Sequence, residues 1–165
     1  ILIYSLTRLY FSFFTLNKMF YQLIKTAHSL TAYIVLVMLL FATVNALFGL
    51  LQKRSYNKTD LRIHLFALIF THIQVTLGMI LYFVTPLFQN WSSMGAGVMQ
   101  DAYLRKMLVE HPFGIVAVTL VTIGWVLHKK QKTNVGAFKR IFIFYGLGWL
   151  LILGVLPWKT WTTGF

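Results

Sequence analysis

Four long apolar runs constrain this sequence more than any other feature. They cover about residues 26–51, 61–85, 109–127 and 141–156, and each is near the ~20 residues that cross a bilayer as a helix. The runs lack the alternation of half-buried strands, and four strands cannot close a barrel in lipid. We therefore predict an all-α fold, an integral membrane up-down four-helix bundle that forms a single domain over residues 19–165. We expect the lipid bilayer to be a partner of this domain.

The charge distribution supports this prediction and gives an orientation. Only 11% of the residues are charged, against roughly 25% in soluble domains. The net charge of the chain is +12, and the Lys and Arg residues that give it lie mostly between the apolar runs. At such positions they orient a membrane protein, so the charge does not indicate nucleic-acid binding. Nine of the 15 basic residues lie in or beside the first and third linkers, which predicts cytoplasmic linkers and both termini outside. The nine are Lys53, Arg54, Lys58, Arg62, Lys129, Lys130, Lys132, Lys139 and Arg140.

The first 18 residues do not fit a fifth membrane helix. They are apolar and aromatic, but Arg8 interrupts them and they are short. One interpretation is that Met19 is the natural start and that residues 1–18 come from a mis-called upstream start. The alternative is a helix that lies in the membrane interface.

Two acidic residues are expected to cap helices. Asp60 precedes the second apolar run, where a side-chain oxygen and a negative charge both stabilise a helix N-terminus. Asp101 is expected to cap a short interfacial helix that ends near Glu110, within the long second linker.

Histidines inside the apolar runs are the best candidates for a functional site, because polar groups are costly in a bilayer. His28 opens the first run, His72 lies midway along the second, and His111 lies near the start of the third. The chain has no cysteine, which excludes thiolate ligands and c-type haem attachment. Paired imidazoles in a membrane bundle favour a b-type haem. His64 and His128 are interpreted as surface residues beside the basic linkers.

Depth and helix order select a preferred axial pair for the haem iron. His28 and His111 share the outer half of the predicted bilayer, on helices that are diagonal in an up-down bundle. They are therefore the first choice, and His72 with His111 is the second. Each residue also has a structural interpretation, since a histidine can bond headgroups, backbone or a neighbouring helix.

Polar neighbours suggest further roles near this site. Glu110 is a candidate for proton transfer or for orienting an imidazole, and Arg105 for binding a haem propionate, as are Lys25 and Lys106. Glu110 is equally well explained as a surface acid paired with Arg105 and Lys106. A quinone head would need donors of the kind that the apolar runs supply in Asn45, Thr71 and Gln74, although helix–helix hydrogen bonding explains those residues equally well.

Several stretches resemble a family of small bacterial four-helix membrane proteins labelled cytochrome b. The resemblance runs from about Met19 to Trp158 and includes His28, His72 and the block Glu110-His111-Pro112. It is carried by LFALIFTHIQ (65–74), LGMILYF (77–83), VEHP (109–112), IFIFY (141–145) and PW (157–158). A weaker resemblance links the chain to one half of haem A synthase, without its second half.

The cytochrome b resemblance implies haem b, electron transport in the bacterial inner membrane, and other respiratory membrane subunits as partners. It favours an electron-transfer protein over a stand-alone enzyme, and no nucleophile–base pair or hydrolase motif appears in the sequence. Two alternatives stay open. The chain is either a non-redox membrane subunit or assembly partner, or a metal-binding protein that uses His28, His72, His111 and Glu110.

Overall fold

The computed structural model describes residues 2–162, with side chains described over residues 12–160. This part of the chain is helical and contains no strand, as predicted. Four helices are long and apolar enough to cross a membrane. They are α1 (Leu2–Leu51), α2 (Lys58–Val84), α3 (Ala102–Lys129) and α4 (Asn134–Val155).

The C-terminal ends of all four helices lie within two residues of the prediction, but α2, α3 and α4 begin three to seven residues before their apolar runs, because capping residues decide where they start. Helix α4 begins seven residues before its apolar run, where the Thr133 side chain accepts a hydrogen bond from Gly136 N at 3.1 Å. Helix α3 begins at Ala102, because Asp101 caps it as predicted. The separate interfacial helix expected after Asp101 is instead the first part of α3.

The N-terminal stretch is continuous with α1, a helix of 50 residues. Its side chains over residues 12–20 are exposed on every face, and contact with the bundle begins near Tyr21. The side chains of residues 1–11, including Arg8, lie outside the described part. Met19 as the natural start stays a prediction.

The cap of α2 is Asn57, which corrects the prediction for Asp60. The Asn57 side chain accepts hydrogen bonds from the backbone of Thr59 and Asp60, and the Asp60 carboxylate accepts one from Asn57 N at 2.9 Å. Asp60 is thus the third residue of a capping box. It still places a negative charge in the first turn of the helix, as predicted.

Helix α1 packs along both α2 and α4, and α3 packs along α4. Helices α1 and α3 therefore lie across the diagonal. The central core joins α1 to α4, and a Cβ on Gly49 would lie 2.4 Å from the Phe138 ring, so only glycine allows this approach. At one end of the bundle Tyr56 N donates to Asn134 Oδ1 at 3.1 Å, which ties the first linker to the start of α4.

The second linker folds into three short helical segments at the opposite end of the bundle, Pro86–Gln89, Asn90–Met94 and Gly95–Met99. Val98 is fully buried and packs with Leu104 and Leu108 of α3 in a small second core. This core covers the end of the bundle from which α3 starts.

Helix α3 is irregular where proline interrupts it. Pro112 has no N–H to donate to the carbonyl of Leu108, four residues earlier. The chain responds with a π-helical turn over Lys106–Glu110 and a 3-10 turn over His111–Gly114. The Tyr82 hydroxyl donates to the Leu108 carbonyl at 3.3 Å, and Trp91 Nε1 donates to Tyr82 Oη at 3.1 Å. Side chains from α2 and the linker thus compensate for the missing backbone bond.

Tyr82→Phe should destabilise the protein by about 1–3 kcal/mol, because it leaves a buried carbonyl without its donor. Unfolding in mixed detergent micelles measures this change. Tyr103→Phe is the matched control, since Tyr103 is 49% exposed and should lose less than about 0.5 kcal/mol. Equal stability of the two variants would contradict this account of the irregular turn.

Candidate functional site

His28 of α1 and His111 of α3 meet across the bundle diagonal. Their ring centroids are 5.9 Å apart and the ring planes are 86° from parallel. Both imidazoles line a cavity of about 550 Å³, which lies within the 300–1,000 Å³ range of ligand pockets. The two residues predicted from depth and helix order are thus brought together at one cavity.

The hydrogen bonding of His111 defines its tautomer. His111 Nδ1 lies 3.3 Å from the carbonyl oxygen of Val155. Val155 is the last residue of α4, where carbonyls have no partner within the helix. A carbonyl can only accept, so Nδ1 carries the proton and Nε2 presents a lone pair. This is the arrangement that metal-binding histidines use, with one nitrogen fixed by a backbone carbonyl and the other free to coordinate.

His28 is held by α2. A Cβ on Gly78 would lie 3.0 Å from His28 Cε1, so the absence of a side chain at Gly78 makes room for the imidazole. One turn earlier, Gln74 Nε2 donates to the His28 carbonyl at 2.9 Å and lies 3.2 Å from Nδ1. Gln74 Oε1 accepts a hydrogen bond from the Thr31 hydroxyl. The sequence indicated that Gln74 is a polar group within a helix, but it did not indicate this partner.

The spacing of the two imidazoles suits a metal ion between them. Imidazole nitrogens bind metals at about 2.0–2.1 Å, so two rings on opposite sides of one ion have centroids roughly 6 Å apart. The observed 5.9 Å agrees with this value. Small side chains surround the rings, and Ser29, Ala32, Gly78 and Gly114 all line the cavity.

The charged groups predicted near the site are mostly paired with one another. Arg105 Nε donates to Glu110 Oε1 at 3.0 Å, and Lys106 Nζ is 3.3 Å from Glu110 Oε2. Glu110 is 43% exposed, and neither it nor Arg105 lines the cavity. Lys25 does line the cavity. It is the cation best placed to meet an anionic group bound there.

His72 lies away from the cavity, on the outer surface of the bundle. Its Nδ1 is 2.8 Å from the carbonyl of Leu68, and its Nε2 is 3.3 Å from the Thr122 hydroxyl of α3. Within the described residues no group of three or more His, Cys, Asp or Glu side chains is arranged to hold a metal ion. The four residues of the metal-binding alternative are therefore not brought together.

The interpretation of His64 and His128 as surface residues is wrong. His64 is fully buried and His128 is 4% exposed. Both lie beneath the first linker, where Arg54 donates two hydrogen bonds of 2.7 Å to the buried carboxylate of Asp60. The Asp60 carboxylate raises the pKa of the Arg54 guanidinium. The two histidines are buried although they lie near the basic linkers, because the Arg54–Asp60 ion pair and its neighbours pack into the end of the bundle.

Asn45 connects the ion pair to His64. Arg54 can only donate and the Asp60 carboxylate can only accept, so their bonds to Asn45 fix the orientation of its amide. The second Asn45 N–H then points toward His64 Nε2 at 3.4 Å, which leaves the proton on Nδ1 to be donated to the Tyr56 hydroxyl at 2.7 Å. Asp60 and His64 are four residues apart on one helix face. That spacing was the sequence signal for the cluster.

His128 completes this cluster through ring contacts. Its ring centroid is 5.5 Å from Tyr56 and 4.6 Å from Trp125. Of the buried side-chain nitrogen and oxygen atoms that the structure describes, only His128 Nδ1 has no hydrogen-bond partner. Tyr56 and Phe138 fill the space beside these rings. This end of the bundle is therefore packed with aromatic and polar side chains.

Comparisons with known proteins add nothing to this geometry. No family model, no curated protein and no solved structure matches the chain. The cytochrome b family label therefore stays a prediction from the sequence.

Asp60→Asn should destabilise the protein by about 3 kcal/mol, the lower end of the cost of breaking a buried ion pair, because Arg54 is partly exposed. The substitution preserves the size of the side chain but leaves the Arg54 charge without its carboxylate. Unfolding in detergent measures the loss.

Asp101→Asn is the matched control, because asparagine caps a helix as well as aspartate does. A loss below about 0.5 kcal/mol is expected for it. If Asp60→Asn and Asp101→Asn are equally stable, the network around Arg54 does not stabilise the fold.

Proposed function

We propose that this chain is a membrane b-type haem protein that transfers electrons, with His28 and His111 as the axial ligands of the iron. One observation carries the proposal. Two half-buried imidazoles from diagonal helices meet at a cavity, with a separation of ring centroids that would accommodate a shared metal ion. Bis-imidazole ligation of this kind is one of the means by which a protein sets the potential of a haem.

Each cavity residue has a distinct part in this proposal. His111 offers the Nε2 lone pair, because its Nδ1–H is bonded to Val155. His28 offers its imidazole from the opposite side, in the space left by Gly78. Lys25 is the candidate partner for a propionate, in preference to Arg105, because Lys25 lines the cavity and Arg105 does not. The lining is mostly apolar, which would favour the insertion of a porphyrin ring.

A bound haem would supply one-electron redox chemistry, and the surrounding protein supplies ligands, orientation and a dry cavity. In this proposal the chain spans the bacterial inner membrane with both termini outside, which the basic first and third linkers at one end of the bundle support. Quinone and other respiratory membrane subunits are the proposed electron-transfer partners.

A non-redox membrane subunit is the second candidate. The contacts that favour it are polar bridges between helices, such as His72 to Thr122 and Gln74 to Thr31, because such bonds also hold purely structural bundles together. The absorption spectrum of the purified protein distinguishes the two candidates, since only the haem protein is coloured.

His28→Ala and His111→Ala should each reduce haem from about one per chain to near zero, because each removes an axial ligand. A pyridine haemochrome assay on protein purified in mild detergent measures the content. His72→Ala is the matched control and should retain haem, since His72 lies on the outer surface. Loss of haem in His72→Ala with retention in His28→Ala would support the pair His72 and His111 instead.

Gly78→Val should lower the haem content by about tenfold or more, as disturbing the surroundings of a metal ligand commonly does. The new Cβ would lie 3.0 Å from His28 Cε1 and displace the ring. Gly154→Val is the control, because no atom lies within 4 Å of a Cβ at that position. Equal haem content in the two variants would show that His28 does not need this space.

A further inference from the structure

Gln74 makes more polar contacts with the His28 region than any other side chain described in the structure. Its Nε2 donates to the His28 carbonyl at 2.9 Å, and it lies 3.2 Å from His28 Nδ1 and 3.4 Å from His28 Nε2. The amide therefore holds the backbone of His28 and lies along the edge of its ring. These contacts join α2 to α1 beside the cavity, whose lining includes both residues.

The other end of the same amide is also fixed. Gln74 Oε1 accepts a hydrogen bond from Thr31, whose hydroxyl is shared with the carbonyl of Ala27 at 2.8 Å. Thr31 lies one turn after His28 on α1. The amide thus bonds to α1 at His28 and at Thr31, and it cannot swing away without leaving half-buried polar groups unpaired, which is costly in an apolar setting.

We propose that Gln74 is a positioning residue for His28, which holds the imidazole toward His111 through its hydrogen bonds to the His28 carbonyl and the Thr31 hydroxyl. This inference rests on the proposed haem site. Neither bond involves a nitrogen of the imidazole, so both bonds can persist when a metal binds the ring. Partners of this kind around metal ligands are typically worth 10–100-fold in affinity.

The first test needs no haem. Apo-protein with ¹⁵N-labelled histidine is compared by NMR as wild type, Gln74→Leu, Gln74→Asn and the control Gln22→Leu, in which an exposed glutamine of α1 is changed. The His28 resonances, assigned with His28→Ala, should shift or broaden in both Gln74 variants and stay unchanged in Gln22→Leu. The His72 resonances should be the same in all. Unchanged His28 resonances in the Gln74 variants overturn the proposal, whether or not the protein binds haem.

The second test uses the haem-loaded protein. Gln74→Leu should weaken haem binding by about 10- to 100-fold. Gln74→Glu keeps the acceptor for Thr31 but has no N–H for the His28 carbonyl, so it should weaken haem binding as well. The displaced imidazole should also shift the reduction potential of the haem that remains bound, which the loss of a glutamine that only joins two helices would not do. Gln22→Glu is the control and should leave affinity and potential unchanged.

The two proposals fail in different ways. If the wild-type protein binds no haem, the proposed function fails, while the NMR comparison still decides the role of Gln74. If the wild-type protein binds haem and all Gln74 variants match its affinity and potential, the positioning role is wrong and the haem site stands. Where Gln74→Leu does not fold, Gln74→Asn and Gln74→Glu give the same decision.

Discussion

A polar group inside this apolar bundle is costly unless it has a partner within the protein, and the architecture depends on that constraint. Among the described buried side-chain nitrogens and oxygens, only His128 Nδ1 lacks a hydrogen bond. A buried amide or hydroxyl without a hydrogen bond costs several kcal/mol in an apolar medium. The carbonyl that Pro112 leaves without a donor is bonded by Tyr82, and the last carbonyl of α4 is bonded by His111. Irregular backbone at α3 is tolerated because neighbouring side chains satisfy it.

The same constraint produces two different ends of the bundle. Beneath the first linker, Arg54, Asp60, Asn45 and His64 satisfy one another and are packed against aromatic rings. Beneath the second linker, His28 and His111 line a cavity instead. The cluster beneath the first linker, whose side chains bond and pack with one another, is best explained as stabilising the fold. Two imidazoles at a cavity, with one Nε2 lone pair held available, are the arrangement on which the proposed haem site rests.

The sequence predicted the four helices and the meeting of His28 with His111, because depth along a helix and the diagonal of an up-down bundle follow from length and linker order. It did not predict where α2 and α4 begin, which Asn57 and Thr133 set through their side chains. His64 and His128 were placed on the surface because linker position was taken to mean exposure. The partner of Gln74 depends on the rotation of α2 about its own axis, which the apolar run leaves undetermined.

The central claim is that His28 and His111 hold one haem between them. The most direct test is the absorption and electron paramagnetic resonance spectrum of the oxidised and reduced wild-type protein, purified in mild detergent after expression with added haem. The account predicts a b-type haem at about one per chain, low-spin with two imidazole ligands, and conversion to a high-spin form or loss of haem in His111→Ala. A colourless wild-type protein, or a low-spin spectrum that His111→Ala leaves unchanged, would contradict it.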